Sequence, residues 1–358
     1  MSASTRVRSA EQQFVRACHA GLDAAELRGR LLPLLRQVMS VDAAFFATAD
    51  PETLLFTSAY PEAPLDTASA QFLDNEYGGI DVNRFTSLAA ATTHVAWLDD
   101  ATHDDRMSSP RYRDIMRPLG LGDELRAALM VDRSCWGYLC LHREDHRLGF
   151  TAAEAATIAR LGPHIAAGLR QAVLLHTAHD IGTPAPGVVL LADDLSVLAV
   201  TAEAEQLLAL LEPGPSRRLA LPVPVYTVVA ALTAVERGIP GSRPPSSRIP
   251  TPSGRWLNVH ASRLSSSPGR ANIAVVVEAA TAAATASVLL SAHGLTGREI
   301  DVATLVLRGA STRAVCDSLH LSRYTVQDHL KAVFDKVGVR SRRDLVAQLL
   351  GTGGSHHS

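Results

Sequence analysis

The sequence predicts a multi-domain protein with three folded parts: an α/β region, an α+β region and an all-α region of four helices. The 358 residues are 47% hydrophobic, which is enough chain and enough apolar material for two or three cores. Strand-like and helix-like patterns alternate as far as residue 279, whereas residues 295–350 show only helical patterns divided by helix-start signals. The C-terminal part is therefore a module of its own, and most of the chain serves another purpose.

The N-terminal part is predicted to contain a helix, a sheet, an irregular middle and a closing helix. Residues 1–20 begin polar and then become helical, the segment 60–118 is polar and irregular with short helices, and a hairpin turn falls at 132–134. The predicted elements in order are a helix at 22–39, strands at 43–48, 53–58, 125–131 and 136–141, and a helix at 150–175.

A second region of mixed strands and helices begins near Gly187. Its turns are marked by Asp193-Asp194 and by later clusters of Pro, Ser and Gly. The predicted elements are strands at 188–191 and 197–200, helices at 202–211 and 226–237, and strands at 247–249, 256–261 and 273–277. An Ala-rich helix at 279–292 then leads into the C-terminal part.

Helix-start signals divide residues 295–350 into four short helices. A hydroxyl side chain just before a helix accepts a hydrogen bond from an otherwise unpaired backbone N–H. The expected capping residues are Thr296, Ser311, Ser322 and Ser341. Glu299 and Asp344, three residues after the first and the last of these, complete capping-box patterns. The link at 319–321 between the middle helices has the length of a helix-turn-helix connection.

The third of these helices combines an apolar stripe with a polar face suited to DNA. At about 100° per residue, the stripe consists of Val326, Leu330, Val333 and Val337. The opposite face carries Tyr324, Gln327, Asp328 and Lys331. In a major groove an amide pairs with adenine, a carboxylate accepts from cytosine and an ammonium reaches guanine or a phosphate. We predict that these four side chains read bases; a helical bundle for protein contacts is the alternative.

This segment resembles the LuxR-type (LuxR/FixJ-type) helix-turn-helix of bacterial transcription regulators. The resemblance is carried by Leu295-Thr296, Arg298-Glu299, Gly309, Ser311, Leu321-Ser322, Thr325-Val326, His329-Leu330, Lys336, Gly338-Val339 and Ser341-Arg342. The family usually has a basic residue where Gln327 stands, and Ile-Ala where Val315-Cys316 stands. The missing charge at Gln327 predicts a lower non-specific affinity for DNA.

The resemblance also implies roles for residues around the third helix. It places Gln327, Asp328 and Lys331 at bases, and Arg313 and Lys336 at phosphates. We expect phosphate contacts from Arg323 and Thr325 as well. It further implies a dimer contact on the fourth helix, whose apolar residues exceed what one small domain can bury: Leu345, Val346, Leu349 and Leu350.

The N-terminal part resembles a GAF domain, specifically the GAF-like sensor of actinobacterial LuxR-family regulators. The order of elements and the stretches at 111–143 and 149–170 carry this resemblance. GAF domains often bind a small molecule between the sheet and the loop-rich middle. Six aromatic residues could line such a pocket or simply fill a core: Phe46, Phe56, Tyr77, Phe85, Trp97 and Tyr112.

The next region resembles a PAS-like fold, chiefly through GRWLNVHASRL at 254–264, and is either a sensor or a structural relay. The predicted division of the chain is an N-terminal tail or helix at 1–20, a GAF-like domain at 21–178, a PAS-like domain at 186–279, a helical linker at 280–293, a helix-turn-helix domain at 294–351 and a tail at 352–358.

The cysteines and histidines do not predict a metal or catalytic site. Cys140 and His142 share one face of a strand, but Cys135 belongs to the turn and a fourth ligand is missing. The sequence also lacks a phosphate-binding glycine loop and a nucleophile elbow. We therefore predict no catalytic residue, no metal and no cofactor.

Composition limits where and how the protein works. A formal net charge of −2 fits a local DNA-binding face on an otherwise ordinary surface. The four cysteines show no disulfide framework, and no apolar run is long enough for a signal core or a membrane span. A cytoplasmic protein without a membrane partner is predicted.

Together these features predict a DNA-binding transcription regulator, not an enzyme. The N-terminal region is expected to sense a small molecule or a protein and to control the helix-turn-helix. The expected partners are double-stranded DNA with an inverted-repeat operator, a second copy of the chain, an effector and RNA polymerase. The alternative is an enzyme or protein-docking module in the N-terminal half that the helix-turn-helix only recruits to DNA.

Overall fold

The structure, a computed structural model, describes residues 3–145, 148–175, 185–211, 220–264 and 272–350. The chain divides into two units, Met1–Ala279 and Ala280–Ser358. The predicted tail at 352–358 and the predicted domain end at residue 178 lie outside the described residues.

An antiparallel sheet with helices on one face and irregular chain on the other forms the first part of unit 1. Its strands are β1 (Ala43–Ala49), β2 (Phe56–Pro61), β3 (Val95–Trp97), β4 (Leu121–Val131) and β5 (Ser134–Glu144), in the order β2-β1-β5-β4-β3. Its helices are α1 (Ala3–Cys18), α2 (Ala24–Val38), α3 (Ser69–Leu73), α4 (Phe85–Ala90), α5 (Leu98–Thr102) and α6 (Ala152–Leu175). Helices α1, α2 and α6 pack together on one face, and the chain between β2 and β4 covers the other.

Strand β2 begins three residues later than the pattern predicts, because a turn occupies its expected start. Asp50 Oδ1 accepts backbone N–H groups from Glu52 and Thr53 at 3.0 and 3.5 Å. Leu54 then has a φ of 60°, which lies outside the extended region. The chain becomes extended only at Phe56.

The β4–β5 hairpin has its turn where the sequence predicts it. Asp132 and Arg133 have φ values of 49° and 67°, and a type I′ turn requires positive φ at both central residues. The two strands extend further than predicted. As a result, Glu124 and His142 become direct cross-strand partners.

A second antiparallel sheet completes unit 1. Its strands are β6 (Gly187–Leu191), β7 (Val197–Val200), β8 (Ser246–Pro250), β9 (Trp256–Leu264) and β10 (Asn272–Ala279), and its helices are α7 (Ala202–Leu208) and α8 (Val223–Glu236). The strand order is β7-β6-β10-β9-β8, so in both sheets the first strand lies between the second and the fifth.

The two sheet regions share one hydrophobic core. Helix α8 is apolar on nearly every side, as expected for a buried helix, and packs on β9 of its own sheet and on β2 of the other. Arg248 of β8 adds an ion pair, with its Nη2 atom 2.6 Å from Asp50 Oδ1. The predicted boundary between domains 21–178 and 186–279 thus falls inside a single compact unit.

Unit 2 consists of helices α9 (Ala282–Ala292), α10 (Gly297–Leu307), α11 (Thr312–Leu319), α12 (Arg323–Val337) and α13 (Arg342–Leu350). All four predicted caps are confirmed, because each capping hydroxyl accepts the backbone N–H three residues later. Helix α9, which the sequence predicts as a linker, instead packs against α10 and α13 and places Leu290 in their core. No described helix of the chain combines the length and apolar character that crossing a membrane requires.

Candidate functional site

Helix α12 presents a polar face opposite its buried stripe. The stripe of Val326, Leu330, Val333 and Val337 lies in the core of unit 2, as helical periodicity predicts. The opposite side leaves four side chains exposed: Tyr324, Gln327, Asp328 and Lys331. These side chains offer a phenol, an amide, a carboxylate and an ammonium, which are the groups that pair with base edges. Their contact with bases stays a prediction.

The N-terminus of α12 has a side-chain cap and exposed basic residues near it. Ser322 Oγ accepts the backbone N–H of Thr325 at 3.1 Å, and the two hydroxyls lie 2.8 Å apart. The positive end of the helix dipole at this point attracts anions such as phosphate. Arg323 in the first turn and Arg313 on α11 are both exposed. Phosphate contacts by these residues remain predictions that this geometry permits.

Lys336 differs from the other predicted phosphate contacts because its ammonium has a partner within unit 2. Its Nζ atom lies 2.7 Å from Glu299 Oε2, and the same carboxylate oxygen accepts the backbone N–H of Thr296 at 2.7 Å. Burial tends to raise the pKa of Glu299, but these hydrogen bonds, with Lys336 first among them, bring it below its ordinary value. Lys336 therefore joins the end of α12 to the start of α10.

Two arginines of unit 2 are also held by internal hydrogen bonds. Arg342 donates to Ala310 O at 3.1 Å and to Thr312 Oγ1 at 3.0 Å, which fixes the start of α13. Arg298 donates to Leu319 O at 2.6 Å and so supports the turn before α12. The basic residues of unit 2 therefore include some that have hydrogen-bond partners within the unit, Arg298, Lys336 and Arg342, besides the exposed Arg313 and Arg323.

The predicted dimer residues on α13 do not all reach the surface. Leu345 and Leu349 are 0% and 5% exposed and belong to the core of unit 2. The expectation that this apolar surface stays uncovered is wrong for these two, because α9 packs against α13. Val346 and Leu350 remain partly exposed. Val346 lines a surface groove of about 370 Å³ with Ala347 and Arg343.

Three of the six aromatic residues predicted to line a sensor pocket form a packed cluster in unit 1. Phe56, Tyr77 and Phe85 lie among Phe45, Phe72 and Tyr138, with ring centroids between 4.5 and 6.5 Å apart. The adjacent cavity has a volume of only about 20 Å³. These rings therefore fill the space between the sheet and the irregular chain.

The other three aromatic residues lie elsewhere. Phe46 follows Phe45 in β1, so it points to the opposite face of the sheet. Trp97 at the end of β3 is partly exposed. Tyr112 donates its hydroxyl to Asp145 at 3.1 Å. The structure does not bring these three into the cluster.

A buried network of charged side chains lies beside the aromatic cluster, and the sequence did not predict it. Arg126 Nη2 is 2.6 Å from Glu76 Oε2, and its guanidinium lies 3.7 Å over the ring of Phe85. Arg111 pairs with Glu124, and both side chains are at most 1% exposed. The available signal was in β4, where Glu124 and Arg126 alternate with the apolar Leu125 and Ala127.

Two family models match the chain. The model described as bacterial regulatory proteins, luxR family, matches residues 293–349, and the model described as GAF domain matches residues 26–169. The chain is also 34% identical over 59 residues to the spore germination protein GerE of Bacillus subtilis (strain 168). That match covers 16% of this chain and 80% of GerE.

Solved structures show weaker likenesses. The VqsR LBD domain from Pseudomonas aeruginosa is 18% identical, with a TM-score of 0.33, over 47% of this chain and 96% of that one. Escherichia coli SdiA is 12% identical, with a TM-score of 0.33, over 98% of both chains. TM-scores this low support no inference about function.

Proposed function

The chain belongs to the LuxR family of bacterial regulatory proteins and carries a GAF domain ahead of its helix-turn-helix region, and we propose that its GAF-containing unit senses a signal that controls DNA binding. The family matches point to a regulator rather than to an enzyme. A regulator of this kind acts on DNA in the bacterial cytoplasm, with RNA polymerase as its further partner.

The observation that best supports base reading is the exposed polar face of α12. Tyr324, Gln327, Asp328 and Lys331 are exposed on one side of a helix whose opposite side is fixed in a core. A recognition helix needs this division, because rigid packing on one side positions polar groups on the other. Hydrogen bonds to base edges then distinguish sequences, whereas phosphate contacts do not.

A second copy of the chain is the expected partner on DNA. Two recognition helices related by a two-fold axis read two half-sites, so we propose an inverted-repeat operator. The partly exposed Val346 and Leu350 of α13 support the proposal of a dimer contact there.

The signal is proposed to reach unit 2 through β10 and α9. Strand β10 ends at Ala279 and α9 begins at Ala282, so few residues separate the second sheet from the first helix of unit 2. The described cavity beside the aromatic cluster, with a volume of about 20 Å³, is too small for a drug-sized ligand, since such ligands occupy pockets of roughly 300–1,000 Å³. An organic effector that binds there would therefore have to displace side chains of the aromatic cluster.

Selection of binding sites from randomised DNA tests base reading. We expect Gln327→Ala and Asp328→Ala each to relax the preference at one base pair per half-site and to cost about 1–3 kcal/mol on the selected site. Asp335→Ala is the matched control, because Asp335 is also an exposed carboxylate on α12 and lies about 10 Å nearer its C-terminus.

The Asp335 variant should keep the base preference of the unaltered protein. An unchanged site preference in both the Gln327 and the Asp328 variants, with folding intact, would show that this face does not read bases.

A further inference from the structure

Strands β4 and β5 bring three potential metal ligands together in the buried face of the first sheet. Glu124 and His142 are cross-strand partners, and Cys140 lies two residues before His142 on the same face. The three ligand atoms lie within 4.8 Å of one another. Cys140 Sγ is 3.3 Å from Glu124 Oε2 and 3.2 Å from His142 Nε2. All three residues are at most 1% exposed.

We propose that this cluster binds a divalent transition-metal ion of the zinc class through Glu124 Oε2, Cys140 Sγ and His142 Nε2. Carboxylate, thiolate and imidazole are the side-chain ligands that zinc takes, at about 2.0–2.3 Å. Around a tetrahedral ion such bonds place neighbouring ligand atoms about 3.3–3.8 Å apart. The separation of 3.3 Å from Cys140 Sγ to Glu124 Oε2 lies at the lower end of that range, and the separation of 3.2 Å to His142 Nε2 lies just below it. Small side-chain shifts therefore admit the ion.

The charges around the cluster favour a divalent cation. The described network contains two guanidinium groups, Arg111 and Arg126, and three carboxylates, Glu76, Asp81 and Glu124. A cysteine binds such an ion as its thiolate, so the thiol proton of Cys140 must leave on binding. A divalent ion takes the place of that proton, which passes to solvent. The exchange adds one positive charge and leaves the network formally neutral.

Neighbouring groups already hold the ligands in position. Arg111 Nε donates to Glu124 Oε1 at 2.5 Å, which leaves Oε2 on the side of Cys140. Hydrogen bonds of this kind orient metal ligands. His142 Nδ1 is buried without a hydrogen-bond partner among the described residues, and His142 also lines the cavity of about 20 Å³. A space of that size accommodates one water molecule, which Nδ1–H needs as an acceptor when Nε2 binds metal.

Cobalt(II) titration of the metal-free full-length protein tests the proposal without DNA. A thiolate ligand gives a sulfur-to-cobalt charge-transfer band, and a tetrahedral site gives intense visible bands. We expect both bands to saturate at one equivalent, release of one proton on binding, and displacement of cobalt by Zn²⁺. Cys140→Ser should abolish the sulfur band and weaken Zn²⁺ binding by more than about 100-fold.

Two other cysteines provide matched controls. Cys135 is buried nearby but donates to Gly137 O at 3.4 Å, and Cys316 lies in unit 2. Cys135→Ser and Cys316→Ser should both keep the sulfur band. The sulfur-to-cobalt band is the decisive readout because the chain contains 14 histidines, and cobalt bound to histidine alone gives no such band.

A sulfur band that is absent from the unaltered protein would overturn the site, whether or not any variant folds. So would a band that survives in a folded Cys140→Ser protein. Failure of the DNA selection above would not affect this result, since the titration uses no DNA.

Discussion

At the level of single side chains, Lys336 has two candidate partners, a DNA phosphate and Glu299. The sequence predicts the first, and the structure places its ammonium 2.7 Å from the carboxylate of the second. The two roles have different consequences. A phosphate contact contributes to DNA affinity at every sequence, whereas an internal ion pair contributes to the stability of unit 2.

We expect Lys336→Met to lower the free energy of unfolding by about 1–2 kcal/mol at neutral pH, because a charged hydrogen bond at a half-buried position is lost. Lys336 keeps the pKa of Glu299 below its ordinary value, so the stability from this pair is present above pH 4.5 and is lost as the pH falls through the lowered pKa. The variant should therefore lose less stability on acidification than the unaltered protein. Urea unfolding at several pH values measures both effects.

Arg313→Ala is the control for the phosphate role, since Arg313 is exposed on α11. This substitution should reduce the slope of log affinity for DNA against log salt concentration by about one, which corresponds to one counterion. It should leave the free energy of unfolding unchanged. If Lys336→Met behaved in this way instead, the ion pair with Glu299 would not be its main role.

The sequence predicts some residues well and others poorly, for a physical reason. Caps such as Thr296 and Ser322 act on backbone only three residues away, so local sequence contains all the information needed. Arg126 pairs with Glu76, which lies 50 residues away and reaches it only after the sheet has formed. Periodicity shows the face on which a residue lies, but not which distant side chain meets it there.

At the level of elements, α9 is the main difference from expectation. Its Ala-rich sequence resembles that of a linker because small residues at most positions give a weak apolar stripe. In the structure Leu290 is 0% exposed and packs in the core of unit 2. Unit 2 therefore has a fifth helix in its core, and this helix lies ahead of the predicted domain start at residue 294.

We expect Leu290→Ala to destabilise unit 2 by about 2–5 kcal/mol, because it removes a buried side chain and leaves a cavity. Urea unfolding of the fragment 280–358 measures the change. Leu289→Ala on the same helix is the control and should cost less, since Leu289 is only partly buried. Equal and small effects of both substitutions would mean that α9 does not belong to this core.

Helix α13 contains adjacent residues that separate dimerisation from folding. Val346 is partly exposed, whereas its neighbour Leu345 is fully buried. We expect Val346→Glu to halve the mass measured by light scattering and to weaken operator binding by about 100-fold, because two half-sites are no longer bound together. Stability should change little.

Leu345→Ala should instead cost about 2–5 kcal/mol of stability. A strictly monomeric unaltered protein, both free and on DNA, would contradict the proposed contact. So would a Val346→Glu protein that remains dimeric.

At the level of the whole molecule, the sequence predicts both sheets but not that they share one hydrophobic core. Each strand pattern is local, and the elements found at β6, β7 and β10 lie close to the predicted ones. The packing of α8 against β2 joins chain segments more than 150 residues apart. The hydrophobic periodicity of a sequence does not predict such a long-range contact. Likewise, the convergence of Glu124, Cys140 and His142 depends on the register of β4 with β5. The sequence established that Cys140 and His142 share a face and could not supply the third ligand.

The last prediction concerns restraint of unit 2 by unit 1. Only Ala280 and Thr281 separate β10 from α9, so a short and well-anchored link can hold α9 against free reorientation. We expect the fragment 280–358, which has its own core, to bind operator DNA about 5–150-fold more tightly than the full chain without effector. A Gly-Ser-Gly insertion between Ala279 and Ala280 should bring the full chain close to the fragment, because a flexible link transmits no restraint. Fluorescence anisotropy at several salt concentrations measures both. Equal affinity and equal salt dependence for the fragment and the full chain would mean that residues 1–279 do not restrain DNA binding.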